Sequence, residues 1–90
     1  MEINSNVFKA LSDDNRLEIL RIIGKEEICA CDLLENFNIT QATFSYHMKV
    51  LTDAKLVKCY KKGVWCIYSI NKDTMNSIAK EFKNLAEEVV

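Results

Sequence analysis

Proline is absent from this 90-residue chain, glycine occurs twice, and tryptophan and histidine once each. Without proline there is no built-in helix kink and no slow X–Pro isomer. Two glycines, Gly24 and Gly63, leave few positions made for left-handed backbone, so most turns must be built from other residues. With one histidine, no glycine-rich phosphate loop and no acid–base pair in a recognisable arrangement, an enzyme is the least expected function. A long apolar run is also missing. The longest, Val64 to Tyr68, is far too short to span a bilayer, and the polar start around Glu2 is no signal peptide. No membrane association and a cytoplasmic location are expected. Internal repeats, low-complexity segments and linkers are lacking too. What remains, 49% hydrophobic and 28% charged residues, is the composition of a globular protein. One domain over residues 1–90 is expected, with a core modest enough for a partner subunit to help it.

The overall charge of −1 hides a segregation. Residues 40–72 hold Lys49, Lys55, Lys58, Lys61, Lys62 and Lys72 against Asp53 alone, a net +5, so the remainder carries −6. Local field, rather than overall charge, governs contact with phosphate. The positive stretch coincides with a helix-turn-helix pattern. Leu33, Phe37, Ile39 and Phe44 give two short helices a shared apolar face, Asn38 stands where the turn between them takes φ > 0, and Thr40 caps the second helix. Along that helix, at about 100° per residue, Phe44, His47, Met48 and Leu51 fall on one side and Ala42, Ser45, Tyr46 and Lys49 on the other. Thr40, Gln41 and Thr43 flank the free side. Small, polar and aromatic side chains with one lysine suit a major groove of double-stranded DNA, where Gln pairs with adenine, Ser or Thr bond base edges and Lys meets phosphate.

Ahead of this motif, residues 3 to 11 form a short amphipathic helix with Ile3, Val7, Ala10 and Leu11 inward, and Ser12-Asp13-Asp14 stops it and caps the next. Leu17, Ile19, Leu20, Ile22 and Ile23 cover most of the second helix, which is expected to be the buried centre and to end at Gly24. Lys25 to Ile28 reads as an extended bridge to a wing. After the reading helix, Thr52 to Lys55 turns the chain, and Leu56–Tyr60 and Val64–Ile70 form a β-hairpin around Lys61-Lys62-Gly63. Lysines at such a tip reach backbone or minor groove beside the site the helix reads, making Lys61 and Lys62 candidate contacts. Trp65 is expected at the hairpin's root. Asn71 to Thr74 caps a last helix whose Met75, Ile78, Ala79, Phe82, Leu85, Ala86 and Val89 lie within an arc of roughly 140°, a stripe suited to pairing with a second copy through the first and last helices. The expected class is mainly α (α+β), a winged helix-turn-helix with a two-stranded wing and a C-terminal dimerisation helix.

Four cysteines in a cytoplasmic chain read as reduced thiols, ligands or redox switches rather than a disulfide frame. Cys29 falls near the N-cap of the first motif helix and Cys31 in its first turn, where free N–H groups favour thiolate. Two helical residues two apart point about 200° away from each other, so both sulfurs reach one atom only if that turn unwinds. Cys59 and Cys66 are expected to be packing residues. A turn centred on Lys62-Gly63 sets them face to face, and a longer loop does not. His47, on the inner side, is a satisfied histidine rather than a ligand.

Several segments in order, Ala10-Leu11-Ser12-Asp13, Asn15 to Leu20, Glu27-Ile28-Cys29-Ala30-Cys31-Asp32-Leu33 and Thr43 to Leu51, resemble the ArsR family of metal- and arsenite-responsive repressors from about Val7 to Asn71. The resemblance implies a homodimer that sits on operator DNA and is released by an effector. Cys29-Ala30-Cys31-Asp32-Leu33 is similar to the arsenite-sensing branch, which implies As(III), Sb(III) or another thiophilic ion such as Cd(II) on Cys29 and Cys31, with no cofactor required. Leu34 stands where some members carry a third cysteine, so a third sulfur would come from Cys59, Cys66, the other subunit or a small thiol. Asp14 replaces a frequent proline. The last helix has no histidine, which disfavours the family's other metal site. The alternative is a thiol-redox-responsive or effector-independent regulator of the same fold.

Overall fold

The computed structural model describes residues 4–87. Its elements run α1 (Ser5–Leu11), α2 (Asp14–Lys25), β1 (Ile28–Cys29), α3 (Ala30–Leu34), α4 (Gln41–Asp53), β2 (Val57–Lys62), β3 (Trp65–Ile70) and α5 (Lys72–Glu87). Ile3 and Val89, assigned by periodicity to the first and last helices, lie outside the described residues. Short polar side chains start the helices. Asn4 Oδ1 accepts the N–H groups of Asn6 and Val7 at 2.9 and 3.2 Å, and Asp13 Oδ1 accepts that of Arg16 at 3.1 Å. Asn71 Oδ1 accepts the N–H of Thr74 at 3.3 Å. Each satisfies an N–H that a helix start leaves without a partner.

Two of the expected stops fall elsewhere. Gly24 is an interior residue of α2, which ends one residue later where Glu26 turns extended at φ −165°. Asn38 is not left-handed, since Lys55 is the only non-glycine residue with positive φ among those described. The turn between α3 and α4 is held instead by Asn36, whose Nδ2 donates to the Asp32 and Leu33 carbonyls at 3.1 and 3.4 Å. Lys55 adopts φ 62° because α4 ends in a Schellman motif: the Leu56 N–H reaches the Leu51 carbonyl at 3.0 Å and the Lys55 N–H that of Thr52 at 2.9 Å. Leu51 and Leu56, the apolar pair of that motif, are both fully buried.

The core gathers where α1, α2, α3, α4 and the root of the hairpin meet, with Val7, Ile19, Leu33, Met48, Leu51 and Leu56 its largest enclosed side chains. α2 is less enclosed than its composition suggests. Ile19 and Ile23 are buried, whereas Leu17 and Leu20 are half-buried along an outward groove of about 410 Å³ shared with Leu11, Ile70, Met75 and Ile78. Beyond it, Phe8 and Phe82 meet edge to face at 6.0 Å, each 46% exposed, and Leu85 is 58% exposed. Among the described residues, the stripe on α5 therefore finds only part of its cover.

The three strands form an antiparallel sheet in the order β1-β3-β2. Ile28 pairs with Tyr68 and Cys29 with Ile67, so a two-residue strand ahead of α3 joins the expected two-stranded wing. In the hairpin, Lys62 pairs with Trp65, leaving Gly63 and Val64 as a two-residue turn with Gly63 at φ 63°. Positive φ at the first turn position alone is the type II′ pattern, and glycine there costs no Cβ clash. Shifting the turn one residue from Lys62-Gly63 places Trp65 at the tip, 54% exposed, rather than at the root.

Candidate nucleic-acid interface and thiol site

α4 separates its faces as its period requires. Phe44, His47, Met48 and Leu51 are buried, and Gln41, Ala42, Thr43, Ser45, Tyr46 and Lys49 are exposed. Thr40 Oγ1 accepts the Thr43 N–H at 3.1 Å and donates its own proton to Thr43 Oγ1 at 3.0 Å, so the two hydroxyls are already arranged at the helix start. Tyr46 is 61% exposed, its ring tilted against that of His47. Lys49 carries a partner that its place on the free face does not reveal. Its Nζ lies 2.9 Å from Asp53 Oδ2, and this hydrogen bond raises the lysine pKa. Both side chains are exposed, so the pair contributes little and opens readily toward a stronger anion.

His47 is held from below. Arg16 donates from Nε to the Ala10 carbonyl at 2.8 Å and from Nη2 to that of Lys9 at 3.1 Å, and its Nη1 lies 3.0 Å from His47 Nδ1. A guanidinium only donates, so Nδ1 accepts and the ring proton sits on Nε2. Arg16 thereby satisfies the last carbonyls of α1 and fixes the inner side of α4 at once. Periodicity alone gave it no such role.

Between α4 and the hairpin runs a groove of about 710 Å³, with Gln41, Ser45 and Lys49 on one wall and Val64, Trp65 and Cys66 on the other. Lys61 and Lys62 are exposed at the end of β2. The register places Lys61 opposite Cys66 and Lys62 opposite Trp65, so the two lysines leave opposite faces of the hairpin. Tyr60 Oη donates to Glu27 Oε1 at 2.7 Å, which raises the phenol pKa and ties β2 to the segment ahead of β1.

Cys29 and Cys31 are free, and their sulfurs lie 3.0 Å apart. This corrects the expectation of opposed side chains. Cys29 is the N-cap of α3, with extended backbone at φ −73°, ψ 151°, so the helical rotation between the two residues does not apply and no turn has to unwind. The second correction concerns protonation. The hydrogen bond shared with Cys31 raises the Cys29 pKa, outweighing the Asp32 N–H that lowers it. Asp32 completes a cluster in which the possible ligand atoms of Cys29, Cys31 and Asp32 all lie within 4.8 Å of one another. Two sulfurs in contact at an accessible strand–helix junction fit a soft ion that takes two thiols. The other two cysteines, Cys59 and Cys66, are joined as a disulfide rather than packed singly.

A helix-turn-helix domain family matches residues 11–60. An arsenical resistance operon repressor of Bacillus subtilis is 43% identical over 75 residues, covering 82% of this chain and 71% of that protein. One from Staphylococcus aureus is 46% identical over 74 residues with the same coverage. Among solved structures, an ArsR-like transcriptional regulator from Rhodococcus superposes with TM-score 0.83 at 27% identity, over 93% of this chain and 79% of that one. A homodimeric winged helix-turn-helix DNA-binding domain from Mycobacterium bovis shares the fold, with TM-score 0.74 at 22% identity over 96% and 80%. Sequence, fold and the order of elements agree, and the chain belongs to the ArsR family of winged helix-turn-helix transcriptional repressors, DNA-binding regulators rather than enzymes.

Proposed function

We propose that this chain is a homodimeric, cytoplasmic repressor that holds operator DNA through α4 and the wing and lets go when arsenite or antimonite binds Cys29 and Cys31. The observation that carries the reading is the 3.0 Å contact between the two free sulfurs at the β1–α3 junction. Gln41, Ser45, Tyr46 and Lys49 supply base and phosphate contacts, Thr40 and Thr43 the hydroxyls at the helix start, and Lys61 and Lys62 the phosphate contacts of the wing. The half-exposed Phe8, Phe82 and Leu85 support pairing of two copies through α1 and α5. No helix among the described residues is long and apolar enough to cross a membrane.

Because the sulfurs already meet, release follows from what surrounds them rather than from an unwound turn. Cys29 is anchored to β3 through its pairing with Ile67, while Cys31 belongs to α3, whose Leu33 is buried in the core beneath α4. A ligand between the sulfurs replaces their contact with a wider bridge and moves α3 against the sheet. Cys31 also lines the groove with Gln41, Ser45 and Lys49, so that movement alters the spacing of helix and wing that DNA requires. A differential affinity of a few kcal/mol between the two arrangements suffices. The raised Cys29 pKa suits arsenious acid in particular: where a sulfur enters as S–H, its proton leaves with a hydroxide as water, so each As–S bond forms as an As–OH bond breaks with no net proton released.

Fluorescence anisotropy of the reduced protein on DNA from upstream of its own gene, titrated with arsenite, tests the reading. Tight binding lost on addition of arsenite is expected. Binding indifferent to arsenite but lost with Cd(II) would replace the effector, and binding to no duplex would remove the DNA assignment.

A further inference from the structure

The hairpin carries its own sulfur chemistry, separate from the pair on α3. Cys59 of β2 and Cys66 of β3 form a disulfide with Cα atoms 6.4 Å apart. Cys59 pairs with Tyr68 and Cys66 with Lys61, so the two cysteines share one sheet face and are offset diagonally. That face looks into the groove opposite Gln41, Ser45 and Lys49. Cys59 is exposed, and Lys61 stands directly across from Cys66 on the same face.

We propose that Cys59 and Cys66 are a reversible dithiol–disulfide modification site that sets how firmly the wing holds DNA, independently of any ligand on Cys29 and Cys31. The inference rests on the DNA-binding reading above. With hydrogen peroxide as oxidant, the Cys66 thiolate attacks one peroxide oxygen and the O–O bond breaks. The departing hydroxide takes up a proton to become water, leaving a sulfenic acid on Cys66. The Cys59 sulfur then displaces the hydroxyl, which leaves as a second water, and the S–S bond forms. Two thiols have lost two electrons and two protons, and one peroxide has become two waters. A small thiol reverses the step by exchange.

The consequence follows from where the hairpin lies. Val64 at its turn is 87% exposed, so this end of the ribbon stands clear of the core. Two-stranded ribbons are marginal on their own, and a cross-link removes disorder that the wing would otherwise lose on meeting DNA. The oxidised protein therefore binds roughly three- to tenfold more tightly than the reduced protein, on specific and random DNA alike.

The test combines chemical trapping with binding on the full chain. After peroxide, remaining thiols are capped with N-ethylmaleimide and peptides are mapped by mass spectrometry, and anisotropy is measured before and after dithiothreitol. The expected result is a Cys59–Cys66 cross-linked peptide, tighter binding that dithiothreitol reverses, and no such change in Cys66→Ser, whose folding is checked by circular dichroism. Full alkylation of Cys59 and Cys66 after peroxide, a cross-link without a change in affinity, or an equal change in Cys66→Ser would overturn the proposal. In each of these the reduced protein still binds DNA, whereas failure of the underlying reading shows as no binding in either state.

Discussion

The two sulfur pairs differ in nearly every respect that sequence spacing would suggest. Cys29 and Cys31, two positions apart, remain free thiols in contact, while Cys59 and Cys66, seven positions apart, are bonded. Backbone geometry decides both. An extended cap residue turns the Cys29 sulfur onto that of Cys31, and a two-residue turn folds β3 back so that Cys66 reaches Cys59. Their surroundings differ as well. The first pair stands on the framework, between a strand anchored in the sheet and a helix whose Leu33 is fully buried. The second stands on a ribbon whose turn lies out in solvent. On the proposed reading, chemistry at the first is transmitted to the arrangement of α3 and α4, and chemistry at the second affects only the wing.

The sharpest contrast is in stability. Leu33→Ala beneath the first pair should lower the unfolding free energy by about 2–5 kcal/mol in urea titrations, whereas Trp65→Ala at the hairpin tip should change it by less than about 0.5 kcal/mol. Comparable losses would break the distinction between framework and wing. Next in size is the pH dependence of effector binding, which follows from the raised Cys29 pKa. A protonated Cys29 condenses with arsenious acid to release water alone, so this thiol should leave arsenite affinity flat as pH rises through neutrality. Cd(II), which must displace the Cys29 proton, should gain up to about tenfold per pH unit over the same range, measured by competition titration. An arsenite affinity as steep as that of Cd(II) would mean that another titrating group is coupled to the site. The smallest effect belongs to the wing lysines. Replacing Lys61 and Lys62 with alanine should lower the salt slope of DNA binding by about 2 and weaken specific and random duplexes equally. A change of site preference instead would assign them to base reading.

The parts legible from the sequence are those governed by period and by single side chains. The two faces of α4 follow from a 3.6-residue repeat, and the Thr40 and Asp13 caps from oxygens placed just ahead of apolar runs. What escaped reading depends on one-residue offsets or on distant partners. Asn38 was the obvious left-handed candidate by type, but Asn36 closes the first turn with its carboxamide, and the end of α4 imposes φ > 0 on Lys55 despite its side chain. Moving the hairpin turn to Gly63-Val64 changes which residues face each other, so Cys66 pairs with Lys61 and is bonded to Cys59 diagonally. The hydrogen bonds of Arg16 to α1 and His47, and of Tyr60 to Glu27, join residues that no local pattern relates. The 3.0 Å thiol contact follows from no helical rotation, because Cys29 stands just outside the helix.

The most direct measurement is an arsenite titration, by anisotropy on the upstream DNA, of three reduced proteins side by side: wild type, Cys29→Ser and the Cys59→Ser/Cys66→Ser double variant. Release of the wild type and the double variant at the same arsenite concentration, with Cys29→Ser remaining bound throughout, is the predicted result. Release of Cys29→Ser alongside the wild type, or a double variant that no longer responds, would contradict the assignment of the effector to the strand–helix junction.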